Sequence, residues 1–216
     1  MKPRFIKLFL ALFLPFASFL LLAHFLFYYN NKYENNPVYP MGGVMFCSDA
    51  DLSGDSVIFL AHQWNFFPGK QYTPSDFNEK SVTGGTFLTL GSFGNFSLGS
   101  TSEASNGTAT YRLTLSLPDT ARTYSLYLPE IFSAYTLYLN EEKVCSQGNP
   151  DPAHYQDLIG NKEISFTASG TVHITIIVTN YSHIYSGITY PPAFGTVTAI
   201  QKYLSTRLFI SGITLA

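Results

Sequence analysis

A chain of 216 residues with 12% charged and 16% aromatic residues is not a disordered one, and it can bury a full core in a domain of about 150 residues. The formal net charge of −2 hides an asymmetry: Lys2, Arg4 and Lys7 lie in an acid-free opening, which leaves 9 basic against 14 acidic residues beyond it. That balance excludes the basic patch a nucleic-acid partner requires. Cys47 and Cys145 make no CxxC motif and no Cys/His spacing suited to zinc, so neither a structural metal nor a cofactor is expected.

From Leu8 to Tyr29 there is no Asp, Glu, Lys or Arg. As a helix this stretch reaches roughly 33 Å, enough to cross a bilayer. A cleaved signal peptide has a shorter apolar core and a small-residue cleavage site, which His24 to Tyr29 does not offer. The expectation is therefore an uncleaved anchor over residues 1–30. Lys2, Arg4 and Lys7 then hold the N-terminus inside, and Tyr28, Tyr29 and Tyr33 sit at the far interface. Residues 31–44 are polar and punctuated by Pro and Gly, which reads as a linker.

Within Cys47 to Leu60, the residues Asp49, Asp51, Ser53, Gly54 and Asp55 imitate the start of a calcium loop. The twelfth position is Leu60 where a bidentate Glu is needed, so the reading is an acidic turn. Val57 to Leu60 is a short apolar strand leading to Trp64, the only tryptophan. A tryptophan in an alternating apolar segment is a core residue rather than a sugar platform. Thr86 to Leu98 offers two further strands around Gly91 and Gly94, and Gly99 to Thr108 reads as a surface loop.

The clearest pattern runs from Tyr111 to Gly148. Tyr111, Leu113, Leu115 and Leu117 alternate with polar residues. Tyr124, Leu126 and Leu128 do the same, as do Tyr135, Leu137 and Leu139, giving three strands with one packed face each. Pro118 and Pro129 bound them. A further strand starts at Ile164, and Val172, Ile174, Ile176 and Val178 form the strongest core strand. Asn180 to Gly195 is rich in Tyr and Pro without a strand period, hence a long loop across one end. Ala199, Ile200, Tyr203, Leu204 and Phe209 have helical spacing, which predicts a helix over Thr196 to Leu208. The fold expected is an all-β jelly-roll sandwich over residues 45–195, followed by a juxtamembrane helix over 196–216 that leads toward a membrane region.

Asp51-Leu52-Ser53, then Leu60 to Phe66 with Trp64, then Pro74-Ser75-Asp76-Phe77 resemble the opening blocks of the extracellular β-sandwich module of bacterial receptors. Those receptors carry a seven-helix membrane unit and diverse intracellular signalling domains. Tyr111-Arg112, Leu128-Pro129-Glu130, Ala134-Tyr135, Leu139-Asn140, Gly148 and Tyr190 to Gly195 are similar to its later blocks, in the same order. The chain departs from the pattern at Ala61, His62 and Gln63, and its Asn140-Glu141 stands where an Asn-Gly turn is usual. The same blocks resemble the galactose-binding-like sandwich domain of β-galactosidases, so they specify a fold better than a ligand.

No nucleophile, base and orienter assemble: His62, His154, His173 and His183 are scattered, and the chain is expected not to be an enzyme by itself. The candidate ligand site is the cluster of His183, Tyr185 and Tyr190 with Tyr135, set against the alternative that these rings cover the sandwich end and touch only protein. Trp64, Arg112, Glu130 and Asn140 are expected to be structural, with Arg112 and Glu130 as a hydrogen-bonded pair. The resemblance implies a sensor of a small molecule or carbohydrate, relaying to a kinase or cyclase on other sequence. A cell-surface carbohydrate-binding module and a ligand-free structural or dimerisation domain are the alternatives, and a homodimer is left open. Cys47 and Cys145 are expected to be free and buried.

Overall fold

The computed structural model describes residues 3–34, 36–55, 57–79, 82, 84–90 and 106–214. The chain divides into two compact units, Met1–Asn36 and Pro37–Ala216. The first is one helix, α1 (Pro3–Asn30), with Pro15 inside it. Its 23-residue segment Ile6–Tyr28 is long and apolar enough to cross a membrane, and this helix is a candidate membrane anchor, although a signal sequence has the same properties.

The second unit is a β-sandwich. Its strands are β1 (Val44–Phe46), β2 (Ile58–Phe59), β3 (Trp64–Pro68), β4 (Thr86–Leu88), β5 (Gly107–Ser116), β6 (Arg122–Leu128), β7 (Ala134–Leu139), β8 (Glu142–Gln147), β9 (Lys162–Ala168), β10 (Thr171–Asn180) and β11 (Ala193–Thr196). The larger sheet has the order β4-β3-β5-β10-β7-β8, with β1 lying parallel to the end of β5; the smaller has the order β2-β11-β6-β9. All other pairings are antiparallel. Period-2 alternation explains the layering, because only one side of each strand faces the opposing sheet. Leu113 and Leu115 of β5, Leu126 and Leu128 of β6, Leu137 of β7, and Ile174, Ile176 and Val178 of β10 are fully buried between the sheets. Each such side chain contributes about 1.5–3 kcal/mol relative to exposure.

Several segments differ from the expectation, each for a physical reason. The stretch up to Gly148 holds a fourth strand, β8, an edge strand whose Glu142 and Lys143 face water and dilute the apolar pattern. The end of the Tyr- and Pro-rich segment is β11, which uses its backbone to join β6 and β2. A short helix α2 (Pro74–Glu79) follows Thr73. Asp76 Oδ2 accepts from the Thr73 amide at 2.9 Å and from its hydroxyl at 2.7 Å, and Pro74 needs no partner at the first helical position. Of the two strands expected over Thr86 to Leu98, β4 is one; residues 91–105 lie outside the described residues, and Gly107 and Thr108, expected in the surface loop, already belong to β5.

The C-terminal helix α3 (Val197–Thr214) falls within the 196–216 span expected for it and begins at an N-cap, where the Thr196 hydroxyl accepts from the Ala199 amide at 3.1 Å. Ala199 and Ile200 are buried against the sandwich, whereas Phe209, expected on the same face, is 70% exposed. Both cysteines are free and buried. Cys47 follows β1 beside the end of β5, its amide bonded to Ser116, and Cys145 lies on β8. In the larger sheet β5 and β8 are separated by β10 and β7, a distance of roughly 14 Å at strand spacing, twice the reach of a disulfide.

Candidate functional site

Three connections meet at one end of the sandwich, where β6, β8 and β10 finish: residues 129–133, 148–161 and 181–192. They are tied together by specific bonds. The Asn180 side chain donates to the His183 carbonyl at 2.6 Å and accepts from the His183 amide at 3.2 Å, which turns the chain sharply as it leaves β10. Ser182 donates to Asp157 at 2.9 Å, and the rings of Tyr155 and Tyr181 meet edge-on at 5.3 Å.

On this frame stands a cluster of four rings. Phe132 stacks on His183 at 4.8 Å with an interplanar angle of 11°. It also meets Tyr185 at 6.1 Å and Tyr190 at 6.4 Å, while His183 and Tyr185 are 5.4 Å apart. The Tyr185 amide donates to His183 Nδ1 at 3.1 Å, so the neutral imidazole carries its proton on Nε2. Tyr185 and Tyr190 are each 38% exposed. Partly exposed rings that carry polar groups, the tyrosine hydroxyls and the His183 Nε2–H, can stack on an apolar ring face and bond a hydroxyl at its edge.

Sequence reasoning named three of these rings and missed the fourth, Phe132, although a phenylalanine in the short loop after Pro129 was a visible signal. Tyr135, expected beside them, does not join the cluster. Tyr135 is only 2% exposed, on the inner face of β7 with Leu137 and Leu139, and burial drives the pKa of its hydroxyl upward. The alternation of β7 already required this.

Among the residues expected to be structural, Trp64 is fully buried and donates from Nε1 to the Leu60 carbonyl at 2.7 Å. Asn140 is not in the core: it occupies an exposed turn with φ of 54°, a conformation Asn tolerates, and its side chain accepts from the His173 amide at 2.8 Å. Arg112 and Glu130 do not pair. Arg112 alternates with buried Tyr111 and so reaches the outer face of the larger sheet, with its guanidinium carbon 4.1 Å from the centre of the Phe77 ring. Glu130 instead faces Arg207 of α3 at 3.8 Å.

That last contact belongs to a clamp on the smaller sheet. Tyr203 of α3 lies edge-on against Phe59 at 5.5 Å and Tyr127 at 6.2 Å. Gln201 donates to Glu163 at 2.9 Å, Lys202 pairs with Asp55 at 2.8 Å, and Arg207 donates to the Tyr127 hydroxyl at 2.9 Å. Burial raises the pKa of Tyr127, and Arg207 pulls it the other way. Because β11 descends from Ala193 beside Tyr127 to Thr196 beside Tyr124, α3 starts away from the loop end and climbs back, so that Arg207 reaches Glu130 two residues before Phe132.

The acidic residues near the start of the domain line a cleft elsewhere. At the opposite end a cleft of about 560 Å³ is open to solvent and lined by Phe46, Ser48, Asp49, Asp51 and Asp119. Asp49 is already paired with Arg122 at 2.6 Å, and hydrogen bonds from Ser48 hold Asp51 below the usual carboxylate range. The acids imitating a calcium loop thus point to separate partners, with Asp55 on Lys202. Among the described residues no group of three or more His, Cys, Asp or Glu is placed to hold a metal ion.

No protein-family model matches the chain, and no curated protein does. Solved structures do. A β-glucuronidase of Faecalibacterium prausnitzii is similar over 64% of this chain and 31% of its own, with a TM-score of 0.50 and 14% identity. A β-glucuronidase from an uncultured Clostridium sp. is similar over 64% of this chain and 28% of its own, at 0.47 and 17%. A GH2 β-galacturonidase of Eisenbergiella tayi, bound to galacturonate, follows at 65% and 24%, with 0.44 and 12%. The chain spans less than a third of each of these proteins, and at such identities the likeness shows the β-sandwich fold alone.

Proposed function

We propose that the chain is the extracytoplasmic input domain of a bacterial membrane receptor. In this reading it is not itself an enzyme: it binds a small molecule or carbohydrate at the ring cluster of Phe132, His183, Tyr185 and Tyr190 and passes a change to α3. The observation that carries the reading is the path of α3, which is clamped to the smaller sheet and climbs back to the end that bears the cluster. The residue blocks that resemble those of the receptor modules support the same assignment. A ligand shifts such a coupling only by its differential affinity for two arrangements, typically about 1–3 kcal/mol. A plain surface carbohydrate-binding module or a ligand-free structural domain would have no use for a helix fastened in this way.

The ring cluster makes the test specific. His183→Ala or Tyr190→Ala should abolish the response to ligand in the full receptor and leave the melting temperature of the domain nearly unchanged. Loss of the fold in either variant means that the rings are only a cover; a normal response puts the input elsewhere.

Topology is the second expectation. Lys2, Arg4 and Lys7 precede the apolar span, so the N-terminus stays in the cytoplasm and the sandwich lies outside. Protease added to intact cells should remove the sandwich. Full protection, or a mature chain starting near residue 30, contradicts the anchored topology.

A further inference from the structure

The exposed apolar side chains of the sandwich unit are not spread evenly. Of the twelve large ones among its described residues, eight lie at the loop end. Three separate elements supply their tips. Leu158 and Ile159, 55% and 47% exposed, crown the β8–β9 connection; Ile184, 71% exposed, crowns the β10–β11 connection. Leu208 and Phe209 of α3, 73% and 70% exposed, follow directly after Arg207, whose bonds to Tyr127 and Glu130 fix them at the same end. Half-exposed tyrosines of the 181–192 loop stand between these tips.

We propose that this end rests on the lipid bilayer, with Leu158, Ile159, Ile184, Leu208 and Phe209 entering the headgroup and upper acyl region. The tips protrude from three elements rather than lining a groove, which suits a soft planar partner better than a peptide or a helix. Tyrosines between them carry an apolar ring and a polar tip, the pair of properties favoured at a membrane interface. The charges nearby are mixed, with Lys162 and Arg207 against Glu130, Asp157 and Glu163, so the attraction is apolar and does not depend on anionic lipid. A bilayer is within reach of the chain because α1 is apolar enough to span one. The inference goes beyond the input reading and is tested on other residues: Leu158 and Ile184 are outside the ring cluster, although Tyr185 and Tyr190 belong to both, and no ligand is needed.

The test uses the full chain in nanodiscs of phosphatidylcholine, with and without bromine atoms near the top of the acyl chains. Trp64 is buried in the core and gives a constant background. A second tryptophan is added by Ile184→Trp, Leu158→Trp or, at the opposite end, Phe46→Trp; all three positions are exposed, so the fold accommodates the ring. Bromolipid should cut the added emission of Ile184→Trp and Leu158→Trp by about twofold or more and leave Phe46→Trp unchanged, because tips buried several ångströms meet the bromines. Equal quenching at both ends, or quenching of Phe46→Trp alone, overturns the proposal. So does a blue-shifted, unquenched Ile184→Trp, which would mean that a protein or a second copy covers this face.

Discussion

Replacing Trp64 with alanine is expected to unfold the sandwich or bring it close to unfolding. The side chain is fully buried and among the largest in the core, and truncating such a residue costs about 3–5 kcal/mol through lost transfer energy and the cavity left behind. It also strips the Leu60 carbonyl of its 2.7 Å donor, worth about 1 kcal/mol more. Domains of this size are stable by about 5–15 kcal/mol, so the loss takes a large share of the total. Denaturant titration followed by circular dichroism measures it. Trp64→Phe should fall between, since the ring is kept and the carbonyl is not. A Trp64→Ala chain with the wild-type midpoint would remove Trp64 from the core.

Gly148→Ala is the second large effect, and it acts on the loop end. Gly148 has φ of 74°, which costs an L-residue about 1–2 kcal/mol. An added Cβ there would also meet the Gln156 carbonyl oxygen at 2.3 Å and the Ala134 side chain at 3.0 Å. The oxygen cannot retreat freely, because it accepts from the Asn149 amide at 2.7 Å while the Gln156 amide returns a bond of 3.1 Å. Breaking this bridge brings the expected loss to about 2–4 kcal/mol. Gly170, with φ of 64° and open space around it, separates the two causes. Gly170→Asn should be nearly neutral, since Asn accepts the conformation, whereas Gly148→Asn should remain as damaging as Gly148→Ala. Equal behaviour at the two sites would show that crowding at Gly148 plays no part.

The strands β5, β6, β7 and β10 were legible in the sequence because each has one face against the opposing sheet, and burial on one side writes alternation into the residues. The edge strand β8 was not, since Glu142 and Lys143 answer to solvent. Nor was β11, whose Ala193, Phe194 and Gly195 follow two prolines and take their place through backbone pairing. In the candidate site, His183, Tyr185 and Tyr190 stand close in sequence and were found by composition. Phe132 comes from another loop, and only the fold brings it to His183. Tyr135 lies apart from them, because its parity with Leu137 turns it to the inner face of β7. Arg112 could have been assigned outward by the same parity with Tyr111, but the partner of Glu130 lies on α3, and no local pattern announces an ion pair between elements so far apart in sequence.

In the proposed input domain, the ring cluster and α3 respond to one another. Amide hydrogen exchange on the full chain, comparing wild type with Phe132→Ala, tests it without any ligand. Removing the ring unseats His183 and loosens the loop before Ser133, beside the Glu130 that faces Arg207. Coupling of about 1 kcal/mol or more changes exchange of the α3 amides from Gln201 to Leu208 roughly fivefold, with β8 unchanged. Exchange in α3 that stays at the wild-type rate while the 181–192 loop speeds up would contradict the account.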